Sequence, residues 1–306
     1  MVVSEFAASM AQFIQHLRVE KGLAKNTVIS YMLDLRQLLE FWQQLDATVA
    51  TNTPLLTALD KYFMLLYKNK CTNSTIARKV SCLRSFERFM ERQGQLLNLQ
   101  LARPTIEKRL PVFLTVDQMF ALLDQVKPED LPTQHPLRDI AILELLYATG
   151  IRVAELTNIK CHEIDMQNKT ILIQGKGRQQ RIALFGAKAA EKINNYLQQE
   201  RPPLVTATDP LFVNNRHEQL SSRAVQRTIK RFSGFLQIAR PITPHKIRHT
   251  FATHLLAQGV DLRVVQELLG HRSLSSTEKY THVTATQLQK LCNEIHPLMH
   301  KKDDDQ

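Results

Sequence analysis

The segment TPHKIRHTFATHLL, residues 243–256, sets His245 and Arg248 three residues apart behind a Thr-Pro pair. Thr243 can accept the first free N–H groups of a helix, and Pro244 fits the first helical position, where its missing N–H costs nothing. His245 and Arg248 then share a face within the first turn and a half. Unpaired N–H groups at such an end favour an anion, most simply a phosphate; a surface turn with incidental charges would use the same residues. Three further regions carry matching chemistry: Arg152 and Glu155 in ATGIRVAEL, Lys176 in GKGR, and His271 followed nine residues later by Tyr280. Two arginines can hold the non-bridging oxygens of one phosphate through paired N–H bonds. Two histidines can donate to those oxygens or move a proton, a tyrosine supplies a nucleophilic oxygen, and a lysine of lowered pKa can protonate a departing alkoxide. Free tyrosine is only about 0.1% phenolate at pH 7, so a neighbour must take its proton or stabilise its anion. Packed arginines and histidine do both, and they neutralise the charge of a pentacovalent phosphorane. Two-metal nucleases meet that demand with clustered carboxylates, and no such cluster is visible in the sequence. Metal-free phosphoryl transfer to tyrosine, leaving a covalent phosphotyrosine, therefore fits this inventory better than hydrolysis.

The groups must be positioned by a mainly helical chain. FAASMAQFIQHLRVE, NTVISYMLDLRQLLEFWQQL, TALDKYFMLLYK and NSTIARKVSCLRSFERFMERQG repeat apolar residues at three and four, which predicts four helices in an N-terminal bundle over residues 1–100. Residues 101–112 lose that period and carry two prolines, the mark of a linker. Residues 113–298 return to helical patterns, starting with a helix capped at Thr115, and residues 299–306 read as a disordered tail. The one departure is KTILIQGKGRQQRIALF, where β-rich runs at 170–174 and 181–185 flank a turn with Lys176 near its tip. Gly270 suits the end of the helix in VDLRVVQELLG, so His271 follows at a chain reversal, and SSTEKYTHV reads as a short helix carrying Tyr280. Tyr31, Tyr62, Tyr67, Tyr147 and Tyr196 fall in helical apolar patterns and read as core or rim, as do His249 and His254.

Composition narrows the class. The net charge is +11, of which residues 1–110 carry +6 and residues 111–306 carry +5, as expected if both parts face one polyanion. Cys71, Cys82, Cys161 and Cys292 are scattered without C-x-x-C spacing, which argues against a disulfide framework or a zinc ribbon. No apolar run approaches the roughly 20 residues of a membrane helix, and the chain reads as cytoplasmic.

In order and spacing, ATGIRVAEL, GKGRQQR, HKIRHTFATHLL and LLGHRSLSSTEKYTHV resemble the tyrosine recombinases, the phage-integrase superfamily. FIQHLRVEKGLAKNTVISYMLDLRQLLEF and LQKLCNEIHP resemble its Xer branch, which resolves chromosome dimers. The resemblance implies a SAM-like core-binding bundle and a catalytic domain of the tyrosine recombinase fold, clamping duplex DNA at a specific site. It implies Arg152 and Arg248 as phosphate-binding arginines, Tyr280 as nucleophile, and Lys176 as general acid toward the 5′ oxygen. His245 and His271 would assist at the phosphate, and Glu155 would support the site. Arg84, Arg88 and Arg92, a basic face at intervals of four that could equally be solvated, with Arg78 and Lys79 upstream, become a helix in a DNA groove, with Lys25, Asn26 and Thr27 near a backbone phosphate. It further implies a 3′-phosphotyrosyl intermediate, no metal, ATP or other cofactor, and a tetramer of one or two recombinase types with residues from about 286 to 298 packed in trans. A DNA translocase or accessory factor would activate it. An integrase of a mobile element shares this chemistry; a DNA-binding protein without catalysis is the rival of a different class.

Overall fold

The computed structural model describes residues 1–49, 53–105, 113–175, 180–203, 206–235 and 242–270. The chain divides into two compact units, Met1–Leu110 and Pro111–Gln306. In the first, α1 (Val3–Val19), α2 (Lys25–Val49), α3 (Leu55–Lys68) and α4 (Asn73–Arg92) follow the four periodic stretches. On α1, Phe6, Phe13, Ile14 and Leu17 recur at helical spacing and are buried. Phe6 meets the rings of Trp42 and Phe86 with centroids 5.6 and 5.2 Å away, and the Trp42 indole donates to the Thr53 carbonyl at 3.0 Å. Thr72 caps α4 by accepting from the Thr75 amide.

A polar network runs through this core. Lys79 is 3% exposed, and its ammonium donates to Asp34 Oδ1 at 3.0 Å, Gln37 Oε1 at 2.6 Å and Tyr62 Oη at 3.0 Å. Three acceptors match the three N–H donors of an ammonium. Arg78, nearer the surface, pairs with the other oxygen of Asp34. The expectation that Lys79 contacts DNA is corrected here: Lys79 is itself buried, and its ammonium is occupied by Asp34, Gln37 and Tyr62.

In the second unit, α6 (Pro136–Thr149) is the central helix, buried from Arg138 to Thr149 without interruption. Around it lie α5 (Val116–Leu123), α7 (Val153–Asn158), α8 (Ala187–Gln199), α9 (Ser222–Phe235), α10 (Pro244–Ala257) and α11 (Leu262–Leu269). The expected cap of α5 is a reciprocal pair, Thr115 Oγ1 accepting from the Gln118 amide and Gln118 Oε1 from the Thr115 amide. The hairpin strands are β2 (Thr170–Gln174) and β3 (Gln180–Leu184), antiparallel with Ile173 opposite Arg181. A two-residue strand, β1 (Ile164–Asp165), adds to β2; it is too short to leave a period in the sequence. Ile171 and Ile173 point into the core, giving the sheet one buried face. His254 is fixed by two buried bonds, from Nε2 to the Leu114 carbonyl at 2.8 Å and between Nδ1 and Tyr147 Oη at 2.8 Å. Because a carbonyl can only accept, Nε2 carries the proton and the Tyr147 hydroxyl donates to Nδ1 in the neutral ring. Among the described residues no helix is long and apolar enough to cross a membrane.

Glu144 sits in the middle of α6 at 1% exposure, and its Oε2 has no hydrogen-bond partner among the described residues. Burial pushes its carboxyl up to about 7, reinforced by the Asp124 charge and opposed by Lys188 and Lys192. A raised carboxyl means that the folded chain holds this proton more tightly than the unfolded one. The group therefore supports the fold below the ordinary carboxyl range, and that support is lost as pH rises through about 7. Glu144→Gln is expected to change stability little at pH 5 and to raise it on the order of 2 kcal/mol at pH 8. Urea unfolding at the two pH values checks this; a gain of equal size at both would assign the effect to something other than ionisation.

Candidate active site

The site is built where α6 stops. Gly150 closes that helix in the left-handed region, φ +59°, and a Cβ there would collide with the Phe251 ring and approach Leu269 Cδ2 to 2.9 Å. Only glycine meets both demands. The chain reverses, Ile151 is buried, and Arg152 becomes the cap of α7. From the first turn of α7, Glu155 reaches back: its Oε2 accepts the Arg152 amide at 2.8 Å and its Oε1 accepts Arg152 Nη1 at 2.8 Å. Arg181, on β3, completes the cluster by donating Nη1 to Oε1 at 3.1 Å and Nη2 to Oε2 at 2.9 Å. Burial of Glu155 by itself would raise its carboxyl, but hydrogen bonds from Arg181 and the Arg152 amide overcome this and hold it at about 2.

Arg248 comes from the second turn of α10, whose start is as expected, with Thr243 Oγ1 accepting from the Lys246 amide at 3.2 Å and Pro244 in the first turn. It is 8% exposed. Its Nη1 donates to the Gly150 carbonyl and its Nη2 to the Leu269 carbonyl, both at 2.6 Å. One guanidinium thus ties the ends of α6 and α11 to α10 and uses two of its five N–H donors in doing so. Burial first, and then the neighbouring charge of Arg152 against that of Glu155 and beside that of Arg181, bring Arg248 down to about 10. It remains a cation at neutral pH. Three guanidiniums around a single buried carboxylate leave an excess of positive charge, and Arg152, with 43% of its side chain exposed, carries that charge outward. Such a cluster can grip an oxyanion and stabilise charge that grows on it.

His245 is exposed on the first turn of α10, one turn before Arg248. Lys176, His271 and Tyr280 lie outside the described residues, as do the helix expected around Tyr280 and the trans-packing segment. What frames them is described: Lys176 follows Gly175 at the end of β2, and His271 follows Gly270, which ends α11 at φ +65°. Arg181 is the site residue that sequence reasoning passed over, although it closes the quoted GKGRQQR. Its only signal is a charged residue in a strand whose pairing partner, Ile173, is buried.

In the N-terminal unit, Lys25 and Asn26 are exposed and Thr27 half-buried in the first turn of α2. Arg84 and Arg88 are exposed on α4, and Arg84 Nη2 donates to the Leu101 carbonyl at 2.7 Å. Arg78 is exposed but bound to Asp34, and Lys79 is the buried cation described above.

Residues 112–287 match the phage integrase family, and residues 10–94 match the phage integrase N-terminal SAM-like domain. The chain belongs to the phage integrase family. Within it, the tyrosine recombinase XerC of Staphylococcus aureus (strain MRSA252) is 41% identical over 299 residues, 95% of this chain and 97% of that protein. This family member is accordingly a tyrosine site-specific recombinase of the Xer type. Its fold is shared with the XerH site-specific recombinase bound to difH substrate in a pre-cleavage complex, with a TM-score of 0.63 at 23% identity over 80% of this chain and 74% of that one. A lambda integrase (75–356) dimer bound to a COC′ core site gives 0.67 at 18% identity over 89% and 96%. The mainly helical recombinase fold and SAM-like bundle expected from sequence are thereby borne out.

Proposed function

We propose that this Xer-type recombinase binds duplex DNA at a specific site and cuts and rejoins it through a covalent link between Tyr280 and a 3′ phosphate. The observation that carries the reading is the convergence of Arg152 and Arg248, from segments 96 residues apart, on one cationic cluster around Glu155. Arg152 and Arg248 hold the non-bridging oxygens of the scissile phosphate and neutralise the charge gathering there, with His245 and His271 assisting. The Tyr280 phenol passes its proton to a neighbouring histidine as its oxygen bonds to phosphorus and the bond to the 5′ oxygen breaks, and Lys176 gives that oxygen a proton. A 5′ hydroxyl from a partner strand then attacks the phosphotyrosine, its proton returning to Lys176, and the phenolic oxygen leaves and takes back the proton held by the histidine. One phosphodiester is exchanged for another through an ester of similar energy, so no ATP and no metal is consumed. Four protomers on two sites carry out the exchange in the cytoplasm, resolving chromosome or plasmid dimers. Exposed Lys25, Asn26, Arg84 and Arg88 supply phosphate contacts from the bundle, with Thr27 beside them.

The test is to incubate the chain with fragmented genomic DNA, denature with detergent, and recover DNA that stays joined to protein. Expected are adducts concentrated at one sequence, undiminished by EDTA, with the modified peptide containing Tyr280. Binding without any adduct on nicked duplexes of that sequence would leave a DNA-binding protein without catalysis.

A further inference from the structure

Arg181 has no part in the steps above, yet it holds both oxygens of the carboxylate that Arg152 leans on. Each Glu155 oxygen is shared: Oε1 between Arg152 Nη1 and Arg181 Nη1, Oε2 between the Arg152 amide and Arg181 Nη2. The Arg181 side chain is 17% exposed against 43% for Arg152, so the inner guanidinium faces the carboxylate while the outer one faces solvent. Gly270 stands next to Arg181, where an added Cβ would approach Cδ, Nε and Cζ to between 3.1 and 3.2 Å. Both terminal nitrogens of Arg181 donate to Glu155, so its fork faces that carboxylate and not a ligand in solvent.

We infer that Arg181 is a positioning residue: by neutralising Glu155 from the inside, it keeps Arg152 from closing into a bidentate pair with that carboxylate and leaves its charge available to the scissile phosphate. A carboxylate shared between two fork-shaped donors holds each in one orientation, whereas a lone arginine would take both oxygens for itself. Arginine is required because its two terminal nitrogens meet the two oxygens in parallel. Lysine keeps the charge and loses the fork.

The inference rests on the recombinase reading, so the unaltered chain must first form its covalent adduct; if it does not, that reading fails and Arg181 is not at issue. Given adduct formation, Arg181→Met is expected to slow single-turnover cleavage on the order of 10²-fold, the size of effect a slightly displaced catalytic group produces. Its duplex affinity is expected to stay within about threefold, since the phosphate contacts that dominate binding lie elsewhere. Arg181→Lys should recover part of the rate. A second substrate, with sulfur replacing the 5′ bridging oxygen, separates this role from its neighbours, because a thiolate departs without a proton. Lys176→Ala should regain its rate on that substrate, and Arg181→Met should not. Recovery of Arg181→Met on the sulfur substrate would place its effect on the Lys176 hairpin and overturn the inference. So would an unchanged rate per folded molecule, with the variant's loss confined to thermal stability.

Discussion

Arg248→Ala is expected to lower the rate of covalent adduct formation by about 10²- to 10³-fold, because it removes a preorganised cation from the place where charge develops. The side chain also has a structural task. Its bonds to the Gly150 and Leu269 carbonyls hold the loop that presents Arg152 and the helix end that precedes His271. Truncation strands two buried acceptors, at about 1–3 kcal/mol each. Activity must therefore be read per folded molecule, with circular dichroism at the assay temperature. Arg248→Lys distinguishes the two tasks: it retains a cation but cannot span two carbonyls with a fork, so its rate should fall while duplex binding persists. Tyr280→Phe sets the zero, binding duplex and forming no adduct. If folded Arg248→Ala cleaved at the unaltered rate, Arg248 would be a structural tie alone.

Asp34→Ala is expected to destabilise the N-terminal unit by about 3–5 kcal/mol, the cost of leaving a buried charge without its counter-ion. Lys79 would keep Gln37 and Tyr62 as acceptors but lose the only carboxylate bonded to its ammonium among the described residues. The double variant Asp34→Leu with Lys79→Met removes both charges and should lose less than the single one, since two well-packed apolar groups can replace a buried pair. Urea unfolding followed by Trp42 fluorescence reports on this unit directly. A double variant less stable than Asp34→Ala would show that the polar network is worth more than its packing volume.

Much of this molecule is legible locally. Thr243 and Pro244, or Thr115 and Gln118, start helices through bonds that span three residues, and the left-handed ends at Gly150 and Gly270 need only a residue without a Cβ. Arg152 and Glu155 are three apart on one turn, so their contact follows from helical geometry and is visible in the sequence. The order of the motifs was enough to indicate the family. Periodicity along α4 was less informative. It sets Lys79 on the stripe of Cys82, Leu83 and Phe86, about 180° from Arg88, but says nothing of what would compensate a charge buried there.

That compensation comes from Asp34, Gln37 and Tyr62 on two other helices, 45, 42 and 17 residues away. In the same way Arg181 meets Glu155 across 26 residues, and Arg248 meets Gly150 across 98. What the sequence by itself determined is the set of helices, their caps and the reactive side chains, because those rest on interactions reaching about one turn. Which cations become internal ties and which stay free to meet a phosphate was decided only by the tertiary structure. A buried charge takes the partner that packing brings within about 3 Å, and no local rule specifies that partner.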